Sequence, residues 1–444
     1  MAIEGHPATA RRLRPSALCT ALSVALLAAV PGAQAATINY SLGGYAEYSD
    51  NIALTESDPN EETTLGGTLD FDVNQVGRNT TLTARGGIEY LYYTGDLYDD
   101  DVRTGLAGQF AWTTWQDRLK LIVEDYASYE PIDVLQSNAP DNQQQVNVFV
   151  TGADLNIRPG SVTGGEVKVR YNNYYAEKTD DFDGDRYSAS ASLVQRPGPT
   201  TRLRLTVEGS QVDYDDQELN ANYRRKDIYG SYNRTLANID VELIVGYSWV
   251  ELTSFDGAED SSPLFRLVGN WRPTARSTLN AGLYYQFSDA ALDLVSRADT
   301  IGGPPIGDQA DDLTVTPDVY QQRRLQLGYH FTGERFDFDV LPYYENNDYV
   351  DPTVESEGSY GIGLGMTYRF QPTLYTTLQL SRSYRSFDAF ERDDDDFAMY
   401  LAVTKLLTGN WSISFDLRHQ ERDSNLAEAS YDENAAIFSV RYTR

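Results

Sequence analysis

From residue 36 onward the chain alternates apolar and polar side chains with a period of two, almost without a break. That period belongs to strands with one apolar face; a helix would repeat every 3.6 residues. Over 410–420, Trp411, Ile413, Phe415 and Leu417 face one way, and Ser412, Ser414, Asp416, Arg418 and Gln420 the other. Leu203, Leu205 and Val207 oppose Arg202, Arg204, Thr206, Glu208 and Ser210. The same split sets Leu82, Ala84, Ile88, Tyr90 and Tyr92 against Thr81, Thr83, Arg85 and Glu89. Residues 166–175 and 238–247 repeat the pattern.

The connections alternate too. Short turns are predicted at Gly77–Asn79, Gln116–Asp117, Pro159–Thr163, Pro197–Thr200, Ala237–Asn238, Pro273–Ala275, Thr332–Glu334, Gln371–Thr373 and Thr408–Asn410. Between them run longer acidic links such as GDLYDDD (95–101), KTDDFDGD (178–185) and ERDDDD (391–396), the longest near 290–316. Nine short turns make ten hairpins, hence about 20 strands, with 18 as the alternative count. Strands of about 11–15 residues slightly exceed the 9–11 that cross a bilayer when tilted. Short turns at one end, long loops at the other and an even count predict an all-β fold, a transmembrane antiparallel up-and-down barrel. A closed barrel pairs every backbone group and so needs no long apolar run. A sandwich array or propeller would alternate likewise. Their strands are usually nearer five or six residues, and Tyr and Trp here gather at strand ends, as at Tyr90, Tyr92, Tyr93, Trp112 and Trp115.

Composition narrows the classes. The formal net charge is −30, with 32 tyrosines, three histidines and one cysteine, and the mean hydropathy is −0.47. Such acidity argues against nucleic-acid partners, which need a basic face. One cysteine excludes a disulfide framework. Residues 1–35 read as a cleaved secretory signal: Arg11, Arg12 and Arg14, an apolar stretch from Ala17 to Val30, then Ala33-Gln34-Ala35. Residues 36–444 read as one barrel domain.

YAEYSDNIALTE (45–56), with Tyr48, Asp50, Asn51 and Ile52, resembles the Y-x-D-N-[IV] opening of a family of outer-membrane β-barrel porins. That family is associated with exopolysaccharide and PEP-CTERM (exosortase) systems. A second matching stretch, 124–152, carries Asp133, Pro140, Asp141, Asn142, Asn147, Phe149 and Gly152. The resemblance implies the Gram-negative outer membrane and, less directly, polysaccharide production or export. The terminal FSVRYTR departs from the usual final aromatic, since Arg444 stands last.

Chemistry is sparse. By parity His330 points inward with Arg324 and Gln326, while His419 points outward, so the two cannot form a dyad. No catalytic, cofactor or metal site is predicted. DDFDGD (180–185) resembles a calcium loop only in its alternating carboxylates, without the spacing of an EF-hand; ERDDDD reads as a solvated, self-repelling run. The candidate functional surface is the inward face. Parity places there Arg85, Glu89, Lys120, Glu124, Glu166, Lys168, Arg170, Arg202, Arg204, Glu208, Asp240, Glu242, Arg324, Asp337, Asp339, Asp416 and Arg418, with Tyr174 and Tyr284 as the aromatic members. Such residues brace a wall across strands or tune selectivity. Twenty strands give a backbone diameter of roughly 40 Å, which side chains cannot fill. The 290–316 link, with its apolar Ile301–Ile306, is a candidate infolded constriction, an exposed loop being the alternative.

The expected partners are the outer membrane with its lipopolysaccharide, the barrel-assembly machinery, and either polysaccharide or small solutes, with both termini periplasmic. The expected function is a passive pore, in exopolysaccharide export or as a general or solute-specific porin; a structural or adhesive barrel is the third reading.

Overall fold

A computed structural model describes residues 36–158, 160–215, 222–253, 259–300, 315–351, 354, 356–388 and 391–444. The leader read over 1–35 and the apolar Ile301–Ile306 stretch lie outside them. Twenty strands form the wall. In order they are β1 (Thr37–Ser49), β2 (Glu62–Val76), β3 (Thr80–Tyr93), β4 (Asp101–Thr114), β5 (Leu119–Pro131), β6 (Gln143–Ile157) and β7 (Thr163–Ala176). Then come β8 (Gly184–Gly198), β9 (Thr201–Tyr214), β10 (Tyr223–Thr235), β11 (Ile239–Leu252), β12 (Glu259–Thr274), β13 (Ser277–Ser288) and β14 (Tyr320–Thr332). The last are β15 (Phe336–Tyr349), β16 (Glu357–Gln371), β17 (Leu374–Phe387), β18 (Arg392–Leu406), β19 (Trp411–Ser424) and β20 (Tyr431–Thr443). Each pairs antiparallel with its sequence neighbours, and β1 pairs with β20 from Ser41↔Thr443 to Ser49↔Ala435. The sheet therefore closes into a barrel with no free edge. The predicted short turns fall at the hairpin junctions of one end, with Pro159 itself outside the described residues.

The alternation sorts the wall into two faces. Leu203, Leu205 and Val207 lie exposed on the outside of β9, and Thr206 between them is buried. Exposed aromatics gather at two levels. Tyr90, Tyr187, Trp249, Tyr344 and Tyr360 lie toward the long loops, and Trp112, Trp271, Trp411, Phe336 and Tyr368 toward the short turns. Tyr360 and Tyr368 stand eight residues apart on β16, roughly 20 Å along a barrel axis for strands tilted near 40°. That is close to the apolar band of a membrane barrel.

Two connections at the long-loop end fold into the barrel. The link after β13 contains a helix, α1 (Ala290–Thr300), which packs against β5 and β6 on the far wall. Its Ala290, Ala291 and Leu294, with Phe287, Val315 and Val319, join a buried cluster with Val146, Val148, Tyr174, Val212, Tyr223 and Val250. The β5–β6 link crosses the other way. Arg392 on β18 donates to the Leu135 carbonyl, and Arg422 on β19 to that of Gln136 at 3.4 Å.

ERDDDD is not the solvated loop the charge run suggests. Arg392–Asp396 form the start of β18. Arg392 grips Asp394 through two bonds at 2.7 and 2.9 Å. Asp396 accepts from Arg422 at 2.6 Å and meets Arg385 at 3.0 Å. Period-two geometry puts Arg392, Asp394 and Asp396 on one face, where neighbouring strands supply the counter-charges. DDFDGD is likewise folded rather than free: Asp180–Phe182 make a 3₁₀ turn and Phe182 is fully buried against Tyr174.

Candidate functional site

The inner surface at the long-loop end has a filled half and an open half. The filled half is held at the start of α1. Asp289 caps the helix by accepting from Leu292 N–H at 2.8 Å, as an acidic N-cap should. Its second oxygen lies 3.0 Å from Arg186 on β8 and accepts the Tyr223 hydroxyl. Arg186 also reaches the Tyr174 and Tyr223 hydroxyls at 3.3 and 3.2 Å. One turn on, Asp293 accepts from Ser288, Tyr320 and Gln322 at 2.6, 2.9 and 2.7 Å. Both carboxylates are buried; Asp289 is paired with Arg186 and both are hydrogen-bonded, which offsets the cost of burying polar groups.

The open half is a cavity of about 620 Å³ between β1–β4, β17–β20 and the infolded 132–142 segment. Tyr45, Tyr93, Tyr129 and Tyr400 border it. Tyr45 packs against Gly66, where a Cβ would stand 2.0 Å from two ring carbons, and donates to Glu89 at 2.7 Å. Arg418 bridges Glu47 at 2.5 Å and Glu433 at 3.0 Å. Arg103 sits 5.1 Å above the Tyr129 ring and 3.3 Å from Asp101.

The sequence-predicted residues fall into several groups. Glu89, Asp416 and Arg418 line this cavity. Glu166 joins Lys168 at 3.5 Å and Arg204 at 2.9 Å, and Arg170 meets Asp154 at 2.5 Å. Glu124 accepts from Tyr126 at 3.2 Å, and Glu208 from Tyr229 at 3.1 Å. Asp240 meets Arg272 at 2.8 Å, Glu242 meets Arg266 at 3.8 Å, and Arg324 meets Glu345 at 3.5 Å. Asp337 pairs with Arg369, and Asp416 accepts from Ser414. Arg85 stands on β3, while Lys120 and Arg202 are exposed near the short turns. Tyr174 is buried under α1. Tyr45, Glu47, Arg103, Arg186, Asp289 and Glu433 were not singled out by sequence. Parity along β1, β4, β8 and β20 is the signal that carries all but Asp289.

His330 makes a line not anticipated from sequence. Its Nδ1 lies 2.5 Å from Asp339 and its Nε2 2.7 Å from the Thr332 hydroxyl. The order matches a nucleophile–His–Asp relay, but such a relay needs backbone donors at the developing oxyanion. The adjacent Gly333 N–H is already committed to Phe336 O and Asp337. The group braces the β14–β15 turn. Among the described residues no cluster of His, Cys, Asp or Glu gathers as a metal site.

The Tyr48–Ile52 motif closes the barrel seam. Asp50 accepts from the backbone and side chain of Asn434 at 2.7 and 3.0 Å. Buried Asn51 donates to Thr55 O and Asp432 O, both at 2.8 Å. Tyr48 donates to Glu61 at 2.6 Å, and Ile52 N–H to Asn60 O. In the second motif Asn142 pins the link between β5 and β6 to itself, donating to Asp133 O and Ser137 O and accepting from Asp133 N–H.

A family model described as "Putative beta-barrel porin 2" matches residues 347–444. No curated protein matches the chain. Solved structures that resemble it include the siderophore receptor PirA from Pseudomonas aeruginosa, 10% identical over 92% of this chain and 80% of that one, TM-score 0.43. The FrpB iron transporter from Neisseria meningitidis is 10% identical over 91% and 81%, TM-score 0.41. A BenF-like porin from Pseudomonas fluorescens Pf-5 is 10% identical over 93% and 100%, TM-score 0.42.

Proposed function

We propose that the protein is a passive, narrow-aperture channel of the Gram-negative outer membrane that admits small polar solutes. The observation that carries this reading is the half-filled interior. α1 and the 132–142 segment occupy part of a wide barrel and leave a polar cavity beside them. The short turns and both termini face the periplasm, and the acidic connections face outward beside lipopolysaccharide. Barrel-assembly machinery inserts the chain. The test is planar-bilayer conductance of the full chain, compared with a variant in which 289–319 is replaced by a short turn. Wild type should give small steps and the variant steps several-fold larger. No conductance from either, at any voltage, overturns the reading.

Exopolysaccharide export is a second reading, favoured by the resemblance and by the four tyrosines bordering the cavity. A deletion strain that secretes a normal amount of polysaccharide would sink it and leave the diffusion channel standing.

A further inference from the structure

We infer that the rim at the short-turn end is a binding surface for anionic phospholipid headgroups, those of the leaflet that surrounds that end. The inference rests on the orientation proposed above, with the short turns at the periplasmic face, and its test separates it from the channel reading. Charge is sorted along the barrel axis. By sequence, every connection at the long-loop end carries acid, and Lys178 and Arg297 are their only bases. The short turns reverse the sign, with Arg78, Arg118, Arg158, Arg276 and Arg335 against Asp117 and Glu334. All five arginines are exposed. Arg234 on β10 and Lys405 on β18 extend the set along the adjoining strand ends. Arg444 closes the chain at the same level, offset by its own carboxylate.

The protein itself neutralises little of this charge. Arg276 lies 3.5 Å from Glu334, with side chains 59% and 87% exposed, and ion pairs in water are weak. Arg118 sits 5.9 Å from the centroid of the exposed Trp115 ring, which leaves its charge unbalanced. Among the described residues Arg78, Arg158, Arg234 and Arg335 stand in no ion pair. Lys405 donates to the neutral Thr373 hydroxyl at 2.9 Å. An anionic surface beside a cluster of basic residues supplies the missing counter-charge.

Depth and distribution select a lipid as the source of that charge. The rim lies just past the exposed Trp112, Trp271, Trp411, Phe336 and Tyr368, the level at which an aromatic girdle meets the headgroups. An arginine there lays its stem along apolar surface and keeps its charge in the headgroup layer. The bases come from the β2–β3, β4–β5, β6–β7, β10–β11, β12–β13, β14–β15 and β18–β19 junctions and from the C-terminus. They are therefore spread round most of the circumference. A globular acidic partner would meet one sector of such a ring, whereas a leaflet meets all of it.

Quenching of tryptophan by brominated lipid, on the full chain folded into bilayers, tests the surface without reference to conductance. Trp112, Trp115, Trp271 and Trp411 stand at the short-turn level, and Trp249→Phe removes the one reporter at the other level. Dibrominated phosphatidylglycerol diluted into phosphatidylcholine should quench as a lipid favoured about fivefold, the gain expected from one basic residue at an anionic surface. In about 1 M salt, where the Debye length is about 3 Å, the ratio should fall to near one. Arg78→Gln, Arg118→Gln, Arg158→Gln, Arg234→Gln and Arg335→Gln combined should have the same effect. Arg323→Gln with Arg382→Gln, at the opposite rim, should leave the ratio unchanged. Heat-modifiable gel migration checks folding; if the combined variant does not fold, the salt titration of wild type decides. An absent preference overturns the inference, as does one that survives salt or the combined substitutions. A stronger preference for lipid A than for phosphatidylglycerol at these tryptophans also overturns it, since the rim would then lie in the other leaflet. Conductance without the lipid preference removes the surface and keeps the channel; the preference without conductance does the reverse.

Discussion

The two halves of the barrel mouth are built from the same kinds of residue and reach opposite ends. On the β5–β11 side, tyrosines, an arginine and two aspartates are buried around α1, and Val146, Val148 and Val212 beneath them are fully inaccessible. On the β1–β4 and β17–β20 side, tyrosines, arginines and carboxylates line open space. The difference is what covers them. A helix with an apolar face dries the first side, whereas the 132–142 segment reaches the second through backbone carbonyls held by Arg392 and Arg422 and brings less apolar cover. Polar groups that would be interchangeable by composition thus become a structural latch on one side and a wet lining on the other.

The sharpest way to break the contrast is to unpair the latch. Asp289→Ala removes the helix cap and strands Arg186 among buried groups, so it should cost about 3–5 kcal/mol, read as a lower urea midpoint of the folded barrel. Phe182→Ala comes next. It empties a fully buried position stacked at 5.7 Å on Tyr174 and should cost about 3 kcal/mol, whereas Tyr400→Ala on the open side should cost clearly less by the same assay. Equal costs on the two sides would erase the distinction. The smallest effect concerns pH. Asp183, in the β7–β8 connection, accepts from Ala176 N–H at 2.8 Å. Burial, reinforced by Asp180 and Asp215, pushes its carboxyl up to about 6. A carboxyl raised in the folded state favours folding while protonated, and that contribution fades as pH rises through about 6. Wild type should therefore lose stability between about pH 4 and 6 relative to Asp183→Asn, which keeps an acceptor for Ala176. A flat difference between the two would show that this connection does not sense pH.

The wall was legible because its signals are local. Period-two alternation needs only neighbouring residues, and Gly, Pro and Asn mark the turns. What stayed hidden depends on partners far away in the chain. ERDDDD reads as repulsion until Arg385 and Arg422 arrive from the flanking strands. AALDLV in the longest link carries too few residues to announce a helix that finds its apolar surface on β5 and β6. Parity puts Glu166, Lys168, Arg170 and Arg204 on one face, but only the register of β7, β8 and β9 says which acid meets which base.

The seam between β1 and β20 sets a clock on folding. Asp50 and Asn434 are 384 residues apart, and the wall has no free edge only once they meet. Contacts of such sequence separation form late and slowly. Until then both terminal strands offer unpaired backbone to any other strand nearby. A chain still being delivered cannot complete its own wall, so it depends on being shielded for that interval. The Asp50–Asn51 motif is thus best understood as the fastener applied last.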